Sequence, residues 1–541
     1  MTEKTVAVEL IESLRDLGVK HVFGVPSGGW VDYMDALRCT DGIEFVLATH
    51  EGGAAFMADV CGRLSGAPGV CFGTFGPGAT NLATGVGSAL LDRSPMLAFT
   101  DEMPADMRGR TTQMGIDHQA LFAPLTKATT RLEAGNCRAI VQAAAELAMA
   151  ERPGPVHIGL PVGLSAHTAG ASAPHAAATP APAQASAEVL AECARRLAAA
   201  RRPLLVLGLA AVRSGTAPRV LDIAEQLQAP VVLTPMAKGL VEETHPLYAG
   251  VLFHALSDVV AQTYSQADLV LAVGYDPVEF NYEQWMPQVP LLNLDTLPVD
   301  IDRQAYAEVV DAVGDLDHSL AWLADQALAA GEWDIDALAH RRADMFSRMT
   351  AKPGSFGPCA ALDILREVLP EQGIMTCDVG AHIHLIGQKW PTPAPGTQIM
   401  TNGWSAMGFA IPAAIAAKLC RPQLPVCAVV GDGGFLMTAG ELAVAVRLQL
   451  DIVFVVLTDN DLALIRIKQE KKDKPIYGTP VRASGTIGGD NLFGVPVLKA
   501  ADADSYRKAL ARATAMSGPV IVEAIINSRE YDDLVLRKNK L

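Results

Sequence analysis

Short apolar runs, many of them rich in β-branched residues, alternate along the chain with longer stretches rich in Ala and Leu. Apolar runs of this length are typical of buried strands, and their alternation with helical stretches indicates βαβ units and parallel sheets. The clearest predicted strands cover residues 45–48, 70–74, 204–207, 231–233, 269–273, 374–377, 426–430 and 452–457. The pattern therefore predicts an α/β fold of doubly wound sheets.

Two breaks divide this alternation into three blocks. Residues 165–187 contain no Asp, Glu, Lys or Arg and consist mostly of Ala, Pro, Ser and Thr, which is the composition of a linker. A second break, rich in Pro and Gly, lies at 352–358. With 541 residues the chain is too long for a single core, so we predict three doubly wound parallel-sheet domains at 1–164, 188–345 and 355–541.

Acidic residues follow two of the predicted strands in the third block. The strand at 426–430 runs into Gly431-Asp432-Gly433-Gly434, and the strand at 452–457 runs into Thr458-Asp459-Asn460-Asp461. In a βαβ unit both strand ends emerge on the same side of the sheet, where ligands of open α/β folds bind. Magnesium prefers oxygen ligands and is usually completed by phosphates, so Asp432 and Asp459 can share one cation that carries a diphosphate. A plain turn is the alternative for Gly-Asp-Gly alone.

The residues between these strands predict how the backbone reaches such a ligand. Gly433 and Gly434 have no Cβ and allow backbone N–H groups to approach phosphate oxygens. Thr438 followed three residues later by Glu441 is typical of a capping box. It predicts a helix over residues 441–450.

Gly-Asp-Gly followed about 27 residues later by Asn or Asp resembles the thiamine diphosphate (ThDP) signature of the pyruvate-oxidase and acetolactate-synthase superfamily. The resemblance covers nearly the whole chain. The resemblance is closest to the catabolic acetolactate synthases that work without FAD, because that subgroup shares the Asp459-Asn460 pair and the run Glu470-Lys471-Lys472. This resemblance implies ThDP and Mg²⁺ as cofactors. It also implies a pyrimidine-binding first domain, a central domain without flavin, and a diphosphate-binding third domain.

The resemblance also implies roles for individual residues. Asp432 and Asp459 would bind the metal through their side chains, and Asp461 through its backbone carbonyl. Met407 would be the apolar wedge that bends ThDP into its V shape. His382 would touch the diphosphate, although a buried histidine with ordinary hydrogen bonds is an equal alternative. The implied cofactor-binding residues are Pro26, Gly76, Asn81, Gly380, Ala381, His382, Asn402, Gly403, Ala406, Met407, Gly431, Asp432, Gly433, Gly434, Asp459, Asp461, Leu462 and Ala463.

Three residues of the first block are candidates for catalysis. A lone Glu at a helix start, such as Glu51, usually acts as a cap or dipole partner. The resemblance instead implies that Glu51 hydrogen-bonds the aminopyrimidine ring and so promotes loss of the thiazolium C2 proton. Gln113 and Phe122 resemble residues that line the substrate cavity, but Phe122 is nearly as well explained as a core residue.

The resemblance implies decarboxylation of a 2-keto acid, pyruvate above all, and carboligation to a second carbonyl compound. A simple 2-keto acid decarboxylase, a 2-hydroxyketone lyase, an FAD-containing oxidase and a non-catalytic nucleotide-binding protein are the alternatives. Leu462, Ile465 and Lys468 depart from the relatives in the segment that shapes the acceptor pocket. In the central block, Gly208 opens a loose dinucleotide-like turn that is better explained as purely structural.

The amino-acid composition limits which classes of binding partner and which cellular compartment are expected. The net charge of −16 and the lack of a basic run disfavour nucleic acids and anionic membranes. The nine cysteines form no Cys-x-x-Cys pair, which argues against a zinc site or a disulfide framework and favours a reduced cytosol. No window of 18 uninterrupted apolar residues is present, so we expect a soluble cytoplasmic protein. The resemblance implies a dimer of protomers that share active sites, and a homotetramer.

Overall fold

Three mainly parallel sheets follow one another along the chain in the computed structural model, which describes residues 4–170, 183–280, 288–326, 328–481 and 487–535. Each predicted block contains one sheet, which confirms the α/β class and the three-sheet architecture. All eight predicted strands are present, with ends within one residue of the expected ones. The block boundaries stay predictions, and most of the proposed linker, at 171–182, lies outside the described residues.

The first sheet has six strands in the order β2-β1-β3-β4-β6-β5, all parallel. Its strands are β1 His21–Gly24, β2 Glu44–Leu47, β3 Gly69–Gly73, β4 Met96–Glu102, β5 Ala128–Arg131 and β6 Pro155–Pro161. Its helices are α1 Val6–Asp16, α2 Val31–Cys39, α3 Glu51–Ser65, α4 Pro77–Leu91, α5 His118–Phe122 and α6 Cys137–Met149. The strand order reverses between β1 and β3, and this switch point is where open α/β sheets bind ligands.

The second sheet has six parallel strands in the order β12-β11-β10-β7-β8-β9. Its strands are β7 Pro203–Leu207, β8 Val231–Leu233, β9 Tyr248–Val251, β10 Leu269–Val273, β11 Leu291–Asp295 and β12 Val309–Val313. Its helices are α7 Ala187–Ala199, α8 Leu209–Arg213, α9 Ala217–Leu227, α10 Ser257–Tyr264, α11 Leu316–Ala324 and α12 Ile335–Arg348.

The third sheet has seven strands in the order β14-β13-β15-β16-β19-β18-β17, parallel except for the β17–β18 pair. Its strands are β13 Ile374–Cys377, β14 Gln398–Met400, β15 Val426–Gly431, β16 Ile452–Thr458, β17 Asn491–Leu492, β18 Val495–Ala500 and β19 Val520–Ile525. Its helices are α13 Pro358–Val368, α14 Ala381–Lys389, α15 Ala410–Cys420, α16 Asp432–Thr438, α17 Leu442–Arg447, α18 Ala463–Glu470 and α19 Ala503–Thr514.

The predicted capping box at Thr438 is wrong. Helix α16 begins at Asp432, directly after β15, and a 3-10 turn separates it from α17. The Thr438 hydroxyl donates to the Gly408 carbonyl (2.8 Å), and the Glu441 carboxylate accepts from backbone N–H groups of the first block. Tertiary contacts therefore use both side chains that a local cap would have used.

Helix α3 of the first sheet packs against α15 of the third. Phe56 and Phe409 meet edge to face, with ring centroids 5.5 Å apart. The half-buried Arg63 binds Asp59 (2.7 Å) and Asp92 (3.0 Å) and also donates to the Met400 carbonyl (2.7 Å). Apolar packing and a buried ion network thus join two sheets that lie far apart in the sequence.

Candidate active site

Three neighbouring strands of the third sheet end in aspartates. Asp378 follows β13, Asp432 follows β15 and Asp459 follows β16. Because β13 pairs with β15 and β15 with β16, all parallel, the three side chains lie along one edge of the sheet. The strand order reverses between β13 and β15, so this edge includes the switch point at which ligands bind.

A cavity of about 150 Å³ lies at this edge. Its walls come from the segments after β13, β15 and β16, with Met407, Ile526 and Tyr531 completing them. Predicted cofactor residues that line it are Gly380, Ala381, His382, Met407, Gly431, Asp432, Gly433, Gly434, Asp459, Asp461, Leu462 and Ala463. The structure therefore brings together the part of the predicted site that belongs to the third block.

Asp432 and Asp459 both line this cavity and form an acidic pair. Asp432 Oδ2 accepts from the Asn460 backbone N–H (2.7 Å), and Asp459 Oδ1 accepts from the Asp461 N–H (3.1 Å). Burial, together with the negative charge of Asp432, raises the pKa of Asp459 to about 7. A divalent cation between the two carboxylates would relieve this repulsion, so the pair fits a magnesium ion that carries a diphosphate.

One oxygen of the Asp461 carboxylate pairs with Arg466, and the other, Oδ1, is buried without a hydrogen-bond partner among the described residues. Asp461 Oδ2 lies 2.9 Å from Arg466 Nε, and the buried Arg466 also binds Glu470 (2.7 Å) and Asp532 (2.8 Å). In the described part of the chain no three His, Cys, Asp or Glu side chains converge as a metal cluster. A ligand set of two carboxylates plus the backbone carbonyl of Asp461 stays a prediction. Arg466 was not foreseen from the sequence.

The glycines after β15 allow close packing against Asp378. A Cβ on Gly434 would collide with Asp378 Oδ2, and one on Gly433 would lie 2.8 Å from Leu462 Cδ2. The fully buried Asp378 accepts from the Gly408 N–H (2.6 Å) and lies 3.0 Å from His382 Nε2. His382 thus lines the cavity and also has an ordinary hydrogen bond. The strand-end pattern that singled out Asp432 could also have identified Asp378.

The loop that precedes Met407 is held by the other two blocks. Asp92 Oδ1 accepts from the N–H groups of Asn402 (3.1 Å) and Gly403 (2.7 Å). The Asn402 amide donates to the Glu279 carbonyl (2.7 Å). Asn402, Gly403 and the buried Ala406 are not among the residues that line this cavity of the described chain, and their contact with the cofactor stays a prediction.

The predicted residues of the first block form a separate group at the ends of β1, β2 and β3. Glu51 is the first residue of α3 and is buried, and its Oε2 accepts from Asn81 Nδ2 (2.9 Å). Gly76 has a φ of 45°, and its N–H donates to His118 Nε2 (3.2 Å). Pro26 is exposed just after β1. None of them lines the cavity formed by the described part of their own chain.

The two predicted substrate residues differ in exposure. Gln113 lies on the surface between β4 and α5. Phe122 is completely buried, and its ring stacks on His157 with centroids 4.4 Å apart. The position of Phe122 is explained by core packing, and its contact with a substrate stays a prediction.

Family models agree with this geometry along most of the chain. Residues 4–121 match the thiamine pyrophosphate enzyme N-terminal TPP binding domain, residues 190–323 its central domain, and residues 378–524 its C-terminal TPP binding domain. The chain belongs to the thiamine pyrophosphate enzyme family. Thiamine pyrophosphate is the same molecule as ThDP, so the predicted family and its main cofactor are confirmed.

Relatives of this thiamine pyrophosphate enzyme share most of its length. It is 28% identical to an acetolactate synthase of Bacillus subtilis, over 98% of this chain and 94% of the relative. It is 31% identical to the large subunit of acetolactate synthase isozyme 1 of Escherichia coli, over 86% of this chain and 83% of the relative. It is 33% identical to a probable 2-ketoarginine decarboxylase of Pseudomonas aeruginosa, over 96% of this chain and 93% of the relative. The protein is thus a ThDP-dependent enzyme of the lyase or transferase type, similar to acetolactate synthases.

The helices of this thiamine pyrophosphate enzyme are short. Among the described residues, none is both long and apolar enough to cross a bilayer.

Proposed function

We propose that this enzyme uses ThDP and Mg²⁺ to decarboxylate a 2-keto acid, with pyruvate as the favoured donor, and joins the remaining fragment to a second carbonyl compound. The observation that carries the proposal is the acidic pair of Asp432 and Asp459 at neighbouring strand ends, above a cavity bordered by glycines. The acetolactate synthases among its relatives support this reaction type.

The third block would hold the diphosphate end of the cofactor. Asp432 and Asp459 would bind the metal through carboxylates, and Asp461 through its backbone carbonyl, as the resemblance implies. Met407 and Leu462 add apolar surface to the cavity. The remaining diphosphate contacts would come from Gly380, Ala381, His382, Gly431, Gly433, Gly434 and Ala463.

The first block would supply the activating group from a second protomer. Glu51 does not line the cavity of its own chain within the described residues, although it is buried and held by Asn81. Both observations support an active site shared between two copies, with Glu51, Gly76, Asn81 and Pro26 facing the pyrimidine. We therefore propose at least a dimer, and a homotetramer as the assembly.

When bound, ThDP supplies the electron sink for breaking the bond to the carboxylate. The chain's own residues orient the reactants and exclude water. Glu51 would hold a proton at the pyrimidine ring, and Ile526 and Tyr531, which line the cavity, would limit solvent at the diphosphate end. Gln113 and Phe122 would border the substrate, as the resemblance implies.

The central sheet supports the expectation that no flavin is bound. The buried carboxylate of Glu279 accepts from the Leu209 N–H (3.1 Å), the Thr234 hydroxyl (2.9 Å) and the Met236 N–H (2.9 Å). These donors lie after β7 and β8, at the carboxyl edge where a dinucleotide phosphate would bind. A purified protein without the yellow flavin absorbance would agree with this expectation, and bound flavin would contradict it.

A simple decarboxylase is the second candidate. The relative that is 33% identical over 96% of the chain is named as a probable 2-ketoarginine decarboxylase. The acceptor segment also carries Lys468, which is exposed on α18 next to the cavity wall. A lysine cation at this position would attract an acidic substrate and repel the guanidinium group of 2-ketoarginine. We therefore rank simple decarboxylation below carboligation.

Product analysis tests these alternatives. The holoenzyme would be incubated with ThDP, Mg²⁺ and a panel of 2-keto acids that includes pyruvate and 2-ketoarginine. Acetolactate from pyruvate supports the proposal, whereas an aldehyde alone supports the simple decarboxylase. A Glu51→Gln variant with unchanged ThDP-dependent turnover would contradict the assignment of Glu51.

A further inference from the structure

Two cysteines from different blocks touch where α3 packs against α15. Cys61 lies in the last part of α3 and Cys420 is the final residue of α15. Their sulfur atoms are 3.1 Å apart, although 359 residues separate them in the sequence. Cys71, by contrast, is buried beside the Met96 thioether, at 3.8 Å. The contact brings two free thiols within about 1 Å of the length of a disulfide bond.

The surroundings of the pair make one thiol more reactive than the other. Cys420 is partly exposed and lines a cavity of about 190 Å³ together with Lys20, His21 and Arg421. Contact with the Cys61 thiol and the positive charges of Arg421 and Lys20 lower the pKa of Cys420. The same contact and burial raise the pKa of Cys61. Cys420 is therefore the expected thiolate, and Cys61 the protonated partner next to it.

We infer that Cys61 and Cys420 form a redox site, at which a reversible disulfide links the first sheet's helix α3 to the third sheet's helix α15. The inference is independent of the substrate of the enzyme. It adds a single reversible pair to the expectation from the sequence, which argues against a disulfide framework and favours a reduced cytosol. The cysteine spacing could not reveal the pair, because only the packing of α3 on α15 brings the two residues together.

A peroxide is the class of oxidant that the site would use. The Cys420 thiolate attacks one peroxide oxygen, breaks the O–O bond and becomes a sulfenic acid, while hydroxide leaves. The Cys61 sulfur then attacks the Cys420 sulfur, forming the S–S bond as the S–O bond breaks. The Cys61 proton and the departing hydroxide give water. A dithiol reductant restores both thiols by exchange and is itself oxidised to a disulfide.

The disulfide would fix two elements that lead to the candidate active site. Helix α3 begins at Glu51, and α15 follows the loop that holds Met407. The Arg421 guanidinium, directly after α15, donates to the Leu64 carbonyl of α3 (2.6 Å) and so holds the two helix ends together in the reduced protein. Closure therefore needs only a small movement of the sulfur atoms. A covalent link there restricts the unfolded chain and is expected to raise thermal stability.

Mass spectrometry of the full-length protein tests the inference. Reduced protein would be treated with hydrogen peroxide, denatured and alkylated. The expected result is a loss of about 2 Da, two thiols fewer available to alkylation, and a linked peptide pair that contains Cys61 and Cys420, all reversed by dithiothreitol. We also expect the melting temperature of the oxidised protein to exceed that of the reduced protein by several degrees.

Serine variants provide the matched controls. Cys71→Ser should oxidise like the wild type, because the sulfur that Cys71 contacts is the Met96 thioether, which cannot form a disulfide. Cys61→Ser should stop at a Cys420 sulfenic acid that dimedone traps, and Cys420→Ser should abolish the mass loss. An unchanged wild-type mass, a link between other cysteines, or a disulfide between two chains would overturn the inference.

Discussion

The Glu441 carboxylate accepts a hydrogen bond of 3.0 Å from the backbone N–H of His50, although the two residues are 391 positions apart. A second bond of 3.2 Å comes from the Thr49 N–H. Both donors directly precede Glu51, and a Cβ on Gly53 would collide with Glu441 Oε1. Glu441 therefore holds the start of the helix that carries the candidate catalytic glutamate.

We predict that Glu441→Gln slows the reaction without weakening cofactor binding. The neutral amide cannot accept from both N–H groups as strongly, and losing a charged acceptor costs about 1.5–3 kcal/mol, or roughly 10-fold or more in rate. Hydrogen exchange at C2 of bound ThDP, followed by NMR, measures the effect directly. Glu371→Gln, at an exposed position, is the control. Exchange at the wild-type rate in Glu441→Gln would refute the positioning role.

Asp459→Asn should stabilise the metal-free protein while weakening ThDP and Mg²⁺ binding. The pKa of Asp459 is raised to about 7 by burial and by Asp432, so at pH 8 its ionised form disfavours the folded state. Removing that charge should raise the melting temperature by at least about 2 °C. Calorimetry with and without ThDP and Mg²⁺ separates the two effects. A lower melting temperature for the metal-free variant would contradict the proposed repulsion.

Gly434→Ala is expected to disrupt the cavity wall. The new Cβ would displace the carboxylate of Asp378, which accepts from the Gly408 N–H and contacts His382. Losing such a buried contact costs about 1.5–3 kcal/mol, so ThDP affinity should fall at least about 10-fold. Gly135→Ala, where a Cβ meets no atom within 4 Å, is the control. Titration of ThDP by tryptophan fluorescence measures both, and equal affinities would count against this packing.

Arg63→Met should destabilise the protein far more than Arg219→Met. Arg63 is half-buried between two completely buried aspartates, whereas the Arg219–Asp317 pair has side chains 44% and 55% exposed. Breaking a buried pair costs about 3–5 kcal/mol because it leaves uncompensated charge. Breaking an exposed pair costs at most about 1 kcal/mol. Urea unfolding of the two variants checks the difference, and similar midpoints would refute it.

The stability of the first block should fall as the pH drops from 7 to 5. His157 is fully buried beside Thr100 (2.7 Å), and burial lowers its pKa to about 3. The unfolded chain binds a proton at this side chain near pH 6.5 and the folded chain does not, so acid favours unfolding throughout this range. Melting temperatures across the pH series should decline, and the decline should be smaller in His157→Gln. An equal slope in the variant would exclude His157 as the cause.

Several parts of the molecule could be predicted from sequence because they depend on neighbours along the chain. The strands at 231–233, 269–273 and 374–377 were predicted with the observed ends, since continuous apolar runs are typical of strands buried on both faces. Asp432 and Asp459 were predicted to meet because parallel strands end on the same edge. The capping box at Thr438 was wrong because a distant carbonyl and distant N–H groups bind the side chains that would have formed it.

What the sequence by itself determined is the set of sheets and the acidic ends of their strands, because apolar periodicity and chain connectivity act over tens of residues. Only the tertiary structure decided how the sheets meet. Glu441 reaches His50, Asp92 holds Gly403, and Cys61 touches Cys420 across separations of more than 300 residues. These contacts depend on how the first and third sheets and their helices pack together, and no local pattern of residues specifies which side chains two packed elements bring together.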